Sequence, residues 1–258
     1  MASNLYHTDM IDRNNKRSGA RQEEPGALLF GVDKVAHDTR VAQLHDGRLL
    51  MELVRAVVLM RDGAQAALDF VTREQTLTLR EPSGAHGAID LDGDNALGLF
   101  YSPASSRDPA RQNGRSYFTP LTHNIPKPLR YPMERLAISF KQGADDTPWI
   151  TTAVWSERGQ LVTPGSWDSF LEHGGWIIER LFMEAKPALR GYQRRYALSD
   201  VHLAWVESLH ARKLARPKEW LLLAQEDVDA LVSSGHSGLQ ASSDALVALH
   251  IHQPYRPS

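Results

Sequence analysis

Histidines and arginines flank the first predicted helix of this chain. His37 and Arg40 precede the helix, while His45 and Arg48 lie near its start. Cleavage of RNA without a metal ion needs a base that removes the 2′-hydroxyl proton and a cation that stabilises the pentacoordinate phosphate. Histidine and arginine suit these two roles. His45 or His37 is therefore a candidate base and Arg40 a candidate phosphate ligand, although helix capping and simple surface positions explain the same residues.

Positive charge is concentrated in one part of the chain. Residues 186–218 carry a net charge of +6, and the rest of the chain carries −8. A polyanion is attracted to a surface of that sign and density. Arginines alternate with two tyrosines near Arg190, a pattern that suits phosphate contacts combined with base stacking. The candidate RNA contacts in this segment are Arg190, Tyr192, Arg194, Arg195, Arg212, Lys213 and Arg216. The competing interpretation is an ordinary solvated helix surface.

A loop of small residues precedes an apolar run near the end of the chain. Gly235 is predicted to end a helix, and residues 245–251 are predicted to form a final buried strand. This interpretation accounts for Gly235 but leaves Gly238 and the polar residues after it unexplained.

The pattern of the first half predicts a β-α-β-β unit. Residues 1–25 have no apolar period and are predicted to form a mobile basic arm, so a first domain spans 26–102. A strand at 28–32 and a helix that begins at Asp46–Gly47 and ends at Gly63 are followed by strands at 68–71, 76–79 and 96–101. Six prolines within 103–132 predict an exposed, extended connection.

The second half, residues 133–258, is predicted to be an α+β domain with a helical segment at 166–234. A hairpin is expected from residues 136–140 and 149–155. Ser166 and Ser199 are expected to cap two helices, and a third helix should run from Trp220 to Leu231. The predicted fold class is therefore α+β, with two small ferredoxin-like or RRM-like sheet-containing halves and a helical insertion in the second.

Composition and motifs exclude several classes of protein. The chain has no cysteine, which excludes disulfides and thiolate zinc sites. No run of residues is apolar and long enough for a membrane span or signal peptide, so we expect a cytoplasmic protein. Phosphate-loop, dinucleotide, zinc-protease and hydrolase-elbow motifs are absent. The acidic stretch at 90–97 is read as a β-hairpin turn rather than a calcium loop, and His250 and His252 lack a partner at metal-ligand spacing. No metal or cofactor is expected.

The order of these elements resembles the RAMP superfamily of CRISPR RNA-binding proteins, most of all its guide-RNA processing endonucleases. The resemblance rests on a first strand, a helix with nearby histidines, further strands, and a loop of Gly235, His236, Ser237, Gly238 and Gln240 before a last apolar strand. It implies that the loop lies against RNA, where its backbone amides approach phosphates, so Gly235, His236, Gly238 and Gln240 become candidate RNA-binding residues. It also implies that His37 or His45 corresponds to a nuclease histidine and that the helical segment 166–234 is an insertion.

Two functions follow as expectations. The first is binding of a structured RNA hairpin, with metal-independent cleavage of that RNA as a further step, within a ribonucleoprotein complex that could supply other subunits as partners. The second is a non-enzymatic interaction or assembly protein, such as a subunit of a larger complex or a mobile-element protein, which binds a protein partner through its aromatic-rich helices. Salt-dependent RNA affinity would distinguish the two.

Overall fold

The computed structural model describes residues 34–64, 66–142, 146–224, 227–229 and 238–252. Within these residues the chain is an α+β protein, as predicted, built around one antiparallel sheet of seven strands. The strands of this sheet, in chain order, are β1 (Lys34–Arg40), β2 (Phe70–Arg73), β3 (Thr76–Arg80), β4 (His86–Asp92), β5 (Asn95–Tyr101), β6 (Thr152–Glu157) and β7 (Gln160–Pro164). Their spatial order is β1-β7-β6-β5-β4-β3-β2.

The helices surround this sheet on two sides. The α-helices are α1 (Val41–Asp62), α2 (Phe118–Thr122), α3 (Arg130–Ala137), α4 (Trp167–Glu172), α5 (Ala185–Tyr196), α6 (Asp200–Ala215) and α7 (Leu239–Val247). The 3₁₀ helices are Pro109–Arg111, Lys127–Leu129, Ile138–Phe140 and Gly175–Phe182. Two short parallel strands, β8 (Leu221–Leu222) and β9 (Ile251–His252), form a separate pair.

The middle strands are apolar on both faces because helices cover both faces of the sheet. Along β5, Leu97 and Leu99 belong to the core under α2 and α3, while Ala96 and Phe100 belong to the core under α1. Side chains alternate between the faces of a strand, so a strand covered twice shows an unbroken apolar sequence. The sheet therefore has a helical layer on each face.

Helix α1 is the centre of the larger core. Residues 50–60 are buried almost without interruption, as expected for a helix that lies between a sheet and an outer layer of helices. Helices α6 and α7 both run antiparallel to α1. His210 near the end of α6 reaches Asp46, and Gly238 at the start of α7 lies against Leu59.

The prediction of two sheet-containing halves is not confirmed. The strands of both halves belong to one sheet, because β5 pairs with β6 and β1 pairs with β7. The segment 103–132 is also more ordered than predicted: it contains helical turns and packs against the sheet. Two of its prolines, Pro109 and Pro128, fall in the first turns of 3₁₀ helices, where the missing N–H removes no helical hydrogen bond.

Three local predictions are wrong because an apolar segment was assigned to a strand where the structure has a helix, or to a helix where it has a strand. Residues 136–140 are helical, and β6 pairs with β7 instead of with them. Residues 245–247 end helix α7, whose buried positions include Ser242, Ala245 and Leu246, at helical spacing. Trp220 precedes the short strand β8 rather than a helix. Short apolar runs fit either a strand or a helix until their neighbours are known.

Other predictions are confirmed. Helix α1 ends at Asp62, with Gly63 as its cap, although it begins five residues before Asp46. Ser166 caps α4 and Ser199 caps α6 through their side chains. The acidic stretch forms the β4–β5 hairpin turn, with Asp92 opposite Asn95. The basic arm and the strand at 28–32 lie outside the described residues.

Candidate functional site

The two histidines proposed as a base contact different parts of the sheet. His37 on β1 lies beside Thr163 on β7, with 2.7 Å between Nε2 and the hydroxyl oxygen. The Thr163 hydroxyl donates to the Gly165 carbonyl, so it accepts from the histidine. His45 on α1 donates from Nε2 to the Gly93 carbonyl, also at 2.7 Å. Strand β6 separates β7 from β5, so the two contacts are about 10 Å or more apart.

Arg40 is the residue that precedes α1. Its backbone N–H donates to the side chain of Gln43, which satisfies a donor at the start of the helix. Partial burial lowers the pKa of His37, and Asp38 opposes this shift. His37, Arg40 and His45 thus have clear structural roles, and no contact joins His37 to His45.

Aromatic stacking on RNA is contradicted for the arginine–tyrosine segment. Tyr192 is 3 % exposed and Tyr196 is 7 % exposed, so neither ring is accessible to a base. The Tyr196 hydroxyl donates to Asp69, and Arg195 forms ion pairs with Asp69 and Glu81. The tyrosines occupy buried positions because α5 turns this face toward α1, leaving its other face to solvent.

The exposed face of α5 is basic. Lys186, Arg190 and Arg194 follow one another at four-residue spacing and are exposed, and α5 contains no acidic residue. Residues four apart in a helix lie on one face. We call these three residues the α5 stripe.

The predicted cations at the end of α6 lie near the start of α1, away from the end of α5. Arg61 near the end of α1 donates to the carbonyls of Tyr196 and Ala197, which places the end of α5 there. His210 on α6 donates to the Asp46 carbonyl near the start of α1, at 3.1 Å. Asp46 and Arg61 are separated by about 20 Å along the helix axis. The predicted RNA-contacting cations at the end of α5 and those at the end of α6 therefore lie near opposite ends of α1.

The cations at the end of α6 are engaged with their own segment. The Lys213 ammonium donates to the Glu219 carbonyl at 2.7 Å. Arg212 lies 3.5 Å from Asp227 and also donates to the Leu222 carbonyl. Arg216 lies 3.5 Å from Glu219, with both side chains exposed.

Gly238 has a packing role. A β-carbon built on it would lie 1.7 Å from the Leu59 carbonyl oxygen, so the start of α7 contacts the backbone of α1. This contact accounts for a glycine whose φ of −113° is ordinary for any residue. Gln240 is exposed and donates to Asp244 one turn later on α7. Gly235 and His236 lie outside the described residues.

An open cleft lies where α1, α6 and α7 meet. It has a volume of about 300 Å³, near the lower limit of ligand pockets. It is lined by His45, Asp46, Leu49, Lys213, Leu214, Pro217, Ala248, Leu249 and His250. We call it the α1–α6–α7 cleft. It brings together two predicted residues, His45 and Lys213, in a setting that is otherwise largely apolar.

Exposed apolar side chains accompany this cleft, and we call them the Trp220 surface: Leu214 (42 % exposed), Trp220 (59 %), Leu222 (65 %) and Val247 (41 %). The Trp220 ring stacks on His250, a lining residue, with 4.9 Å between ring centroids. Sequence reasoning missed this surface because it placed Trp220 on the apolar stripe of a helix. The residue in the sequence that could have indicated this surface is Pro217, which separates Trp220 from α6.

A buried polar cluster lies on the α4 side of the sheet. The Ser105 hydroxyl is 2.9 Å from Nδ1 of His173, and the Arg107 backbone N–H donates to the same hydroxyl. Burial, and then the nearby Arg107 charge, lower the pKa of His173 to about 3. Ser105 and His173 are 2 % and 4 % exposed, so the pair is closed to substrate.

No model of a protein family matches this chain, and neither does any curated protein or solved structure. Among the described residues, no three histidines, cysteines or carboxylates are grouped so that they could hold a metal ion. No helix in the described part of the chain has the length and apolar character that a membrane crossing requires.

Proposed function

We propose that this chain is a non-enzymatic interaction protein that binds a segment of a protein partner in the α1–α6–α7 cleft. The observation that carries the proposal is the exposure of Trp220 beside the cleft. Tryptophan is enriched at binding surfaces, and exposed apolar side chains that are grouped, rather than scattered, mark such surfaces.

The geometry of the cleft supports an extended peptide segment. Leu49 of α1, Leu214 of α6 and Leu249 of the turn that follows α7 provide apolar walls. The Trp220 surface continues this apolar area onto the outside of the molecule, so a ligand would place one side chain in the cleft and another against the indole ring. This resembles the general arrangement of a buried anchor beside an aromatic contact.

The test is selection of peptides by the full-length protein from a random dodecapeptide library. The affinity of the selected peptides is then measured by fluorescence anisotropy. We expect Leu214→Asp to weaken binding at least tenfold, because it places a charge on the apolar wall. Tyr131→Ala is the matched control, since Tyr131 is 76 % exposed on α3, on the opposite face of the sheet. Failure to select any peptide, or equal binding by Leu214→Asp, would overturn the proposal.

Binding of RNA is a second proposal, supported by the α5 stripe. Three exposed cations on a helix without acids suit phosphate contacts, which depend on charge more than on sequence. We propose it in the form of binding, with cleavage left to the test below, because the Nε2 atoms of both His37 and His45 are hydrogen-bonded within the protein. The RAMP resemblance and its ribonucleoprotein partners belong to this proposal.

A filter-binding titration with a hairpin RNA tests the RNA proposal. We expect Lys186→Gln/Arg190→Gln to weaken binding and to reduce the slope of log K against log salt by about 2. Lys127→Gln/Arg158→Gln removes the same charge from other exposed positions and should leave the slope unchanged. If the protein does not bind the hairpin RNA even at low salt, the RNA proposal is wrong. If the protein cuts the RNA in the presence of chelator and the His45→Ala variant does not, the hypothesis of metal-independent cleavage is supported instead.

A further inference from the structure

Lys213 is a buried cation at the edge of an open cleft. The residue is only 5 % exposed, yet it lines the α1–α6–α7 cleft. An ammonium group has three N–H donors. The acceptor that the structure gives it is the Glu219 carbonyl, a neutral group.

No carboxylate forms an ion pair with Lys213 among the described residues. Glu219 influences Lys213 electrostatically, but its carboxylate lies beside Arg216. Burial lowers the pKa of Lys213, and the charge of Glu219 opposes this shift without reversing it. A buried charge is normally paired, because isolation in a poorly polar environment is unfavourable.

The surroundings of Lys213 leave room for an anion. Asp46 is the acid among the lining residues, and it is exposed to solvent at the edge of the cleft. His45 and His250 are polar lining residues, and neither carries a fixed negative charge. Further cations stand nearby on the chain, since Arg216 and Lys218 are exposed on either side of Pro217. The remaining lining residues are apolar.

We propose that the α1–α6–α7 cleft binds a carboxylate attached to an apolar group, with the carboxylate at the Lys213 ammonium and the apolar group against Leu214, Leu249 and Trp220. In a protein partner, this chemistry is provided by an aspartate or glutamate next to a large apolar side chain. This inference rests on the proposed function for the identity of the ligand as a peptide, but the carboxylate preference is a property of the cleft itself.

The first experiment uses a small probe and the wild-type protein. Binding of 4-phenylbutyrate and of its neutral amide, 4-phenylbutanamide, is measured by NMR titration. We expect the carboxylate to bind at least fivefold more tightly than the amide, because a charge-assisted hydrogen bond is stronger than a neutral one. Equal affinities for the two probes would overturn the inference.

A variant then assigns the preference to Lys213. Lys213→Met removes the charge and keeps an unbranched side chain of similar length, and Lys218→Met removes an exposed charge from the same segment as a control. We expect the preference for the carboxylate to disappear in Lys213→Met and to persist in Lys218→Met, with folding of both variants checked by circular dichroism. A preference that persists in a folded Lys213→Met protein would also overturn the inference. If Lys213→Met does not fold, the wild-type comparison of the two probes decides the question.

The peptides from the library separate this inference from the proposed function. Each acidic residue of the tightest peptide is replaced by its amide, and we expect one such replacement to weaken binding at least tenfold. Peptides that bind equally well without any acidic residue would overturn the carboxylate site and leave the proposed function in place. A carboxylate preference for the small probe with no peptide selected would leave the site and remove the proposed function.

Discussion

The two ends of α1 are covered in different ways. At its C-terminal end, Gly238 brings α7 into contact with the helix backbone, and Arg61 joins the helix to the last carbonyls of α5. At its N-terminal end, α6 and α7 diverge and leave the α1–α6–α7 cleft beside His45 and Leu49. On the side that α6 and α7 cover, the helix therefore has a closed end, where the core is completed, and an open end, where apolar side chains remain accessible. On another side its N-terminal part is closed as well, since Gly47 lies against the backbone of Leu181.

This difference shows how to distinguish residues that serve folding from residues that are available to a ligand. At the closed end, side-chain and backbone groups contact each other with no spare volume, so a substitution must change stability. At the open end, substitution of an exposed side chain that lines the cleft removes little buried area and should change stability only slightly. Four predictions test this contrast, from the largest expected effect to the smallest.

Gly238→Ala should have the largest effect on the closed end. The added β-carbon would overlap the Leu59 carbonyl oxygen, so α7 must move away from α1, and we expect a loss of about 3 kcal/mol in the free energy of unfolding. Gly191→Ala is the control: its β-carbon meets only the Arg180 side chain at 3.6 Å, and alanine favours a helix by about 1 kcal/mol. Urea denaturation measures both. Unchanged stability of Gly238→Ala would contradict the close packing of α7.

The second prediction concerns acid sensitivity of a closed region. His173 has a pKa of about 3 in the folded protein, against 6.5 when unfolded, so only the unfolded state takes up a proton between these values. Stability should therefore be unaffected above pH 6.5 and fall by about 1 kcal/mol per pH unit as the pH decreases below it.

Two variants test whether His173 causes this dependence of stability on pH. His173→Gln should lose most of this contribution to the pH dependence, whereas Ser105→Ala should lower stability but retain the slope, because it keeps the titrating ring. Denaturant midpoints from pH 7 to pH 4.5 provide the measurement. A His173→Gln protein with the wild-type slope would show that other groups are responsible.

The closed parts of the fold were more predictable from sequence than the open cleft. Ser166 and Ser199 indicate where helices begin, because a capping side chain bonds to the backbone of the next turn and the signal is local. The structure confirms both caps. The pairing of β5 with β6 joins residues more than 50 positions apart, and no local pattern specifies it. The prediction of two halves failed at that step.

The cleft was hidden for a similar reason. It combines α1, α6 and α7, and its exposure depends on how these helices end, not on their composition. Lys213 was included among the candidates for its charge, but its burial could not be inferred from a basic sequence. Gly238 was correctly singled out as unusual, yet the reason for a glycine at this position is the close approach of the backbone of residues 59 and 60.

The third prediction tests the link between α1 and α5 at the closed end. Arg61→Ala removes two hydrogen bonds to the carbonyls of Tyr196 and Ala197, and we expect a loss of about 1.5 kcal/mol in the free energy of unfolding. Arg111→Ala is the control, because that side chain is 59 % exposed and lies 3.9 Å from Asp108, so its removal should change stability by about 0.5 kcal/mol or less. Equal effects of the two changes would contradict the proposed difference.

The smallest expected effect is that of Leu214→Ala at the open end, and a buried leucine of the same helix is its reference. Leu209 on α6 is 1 % exposed, and Leu214 on the same helix is 42 % exposed and lines the cleft. Leu209→Ala should cost about 3 kcal/mol, because it leaves a cavity in the core. Leu214→Ala should change stability by about 0.5 kcal/mol or less.

Equilibrium denaturation of these two variants, combined with peptide binding by Leu214→Ala, decides whether the open end is a binding surface or an unfinished part of the core. A large loss of stability for Leu214→Ala would mean that the cleft is closed in solution. A small loss together with weakened binding would mean that Leu214 acts on a ligand and not on folding. Such a side chain stays exposed to water in the free protein, and the apolar area it contributes becomes favourable to bury only when a partner covers it.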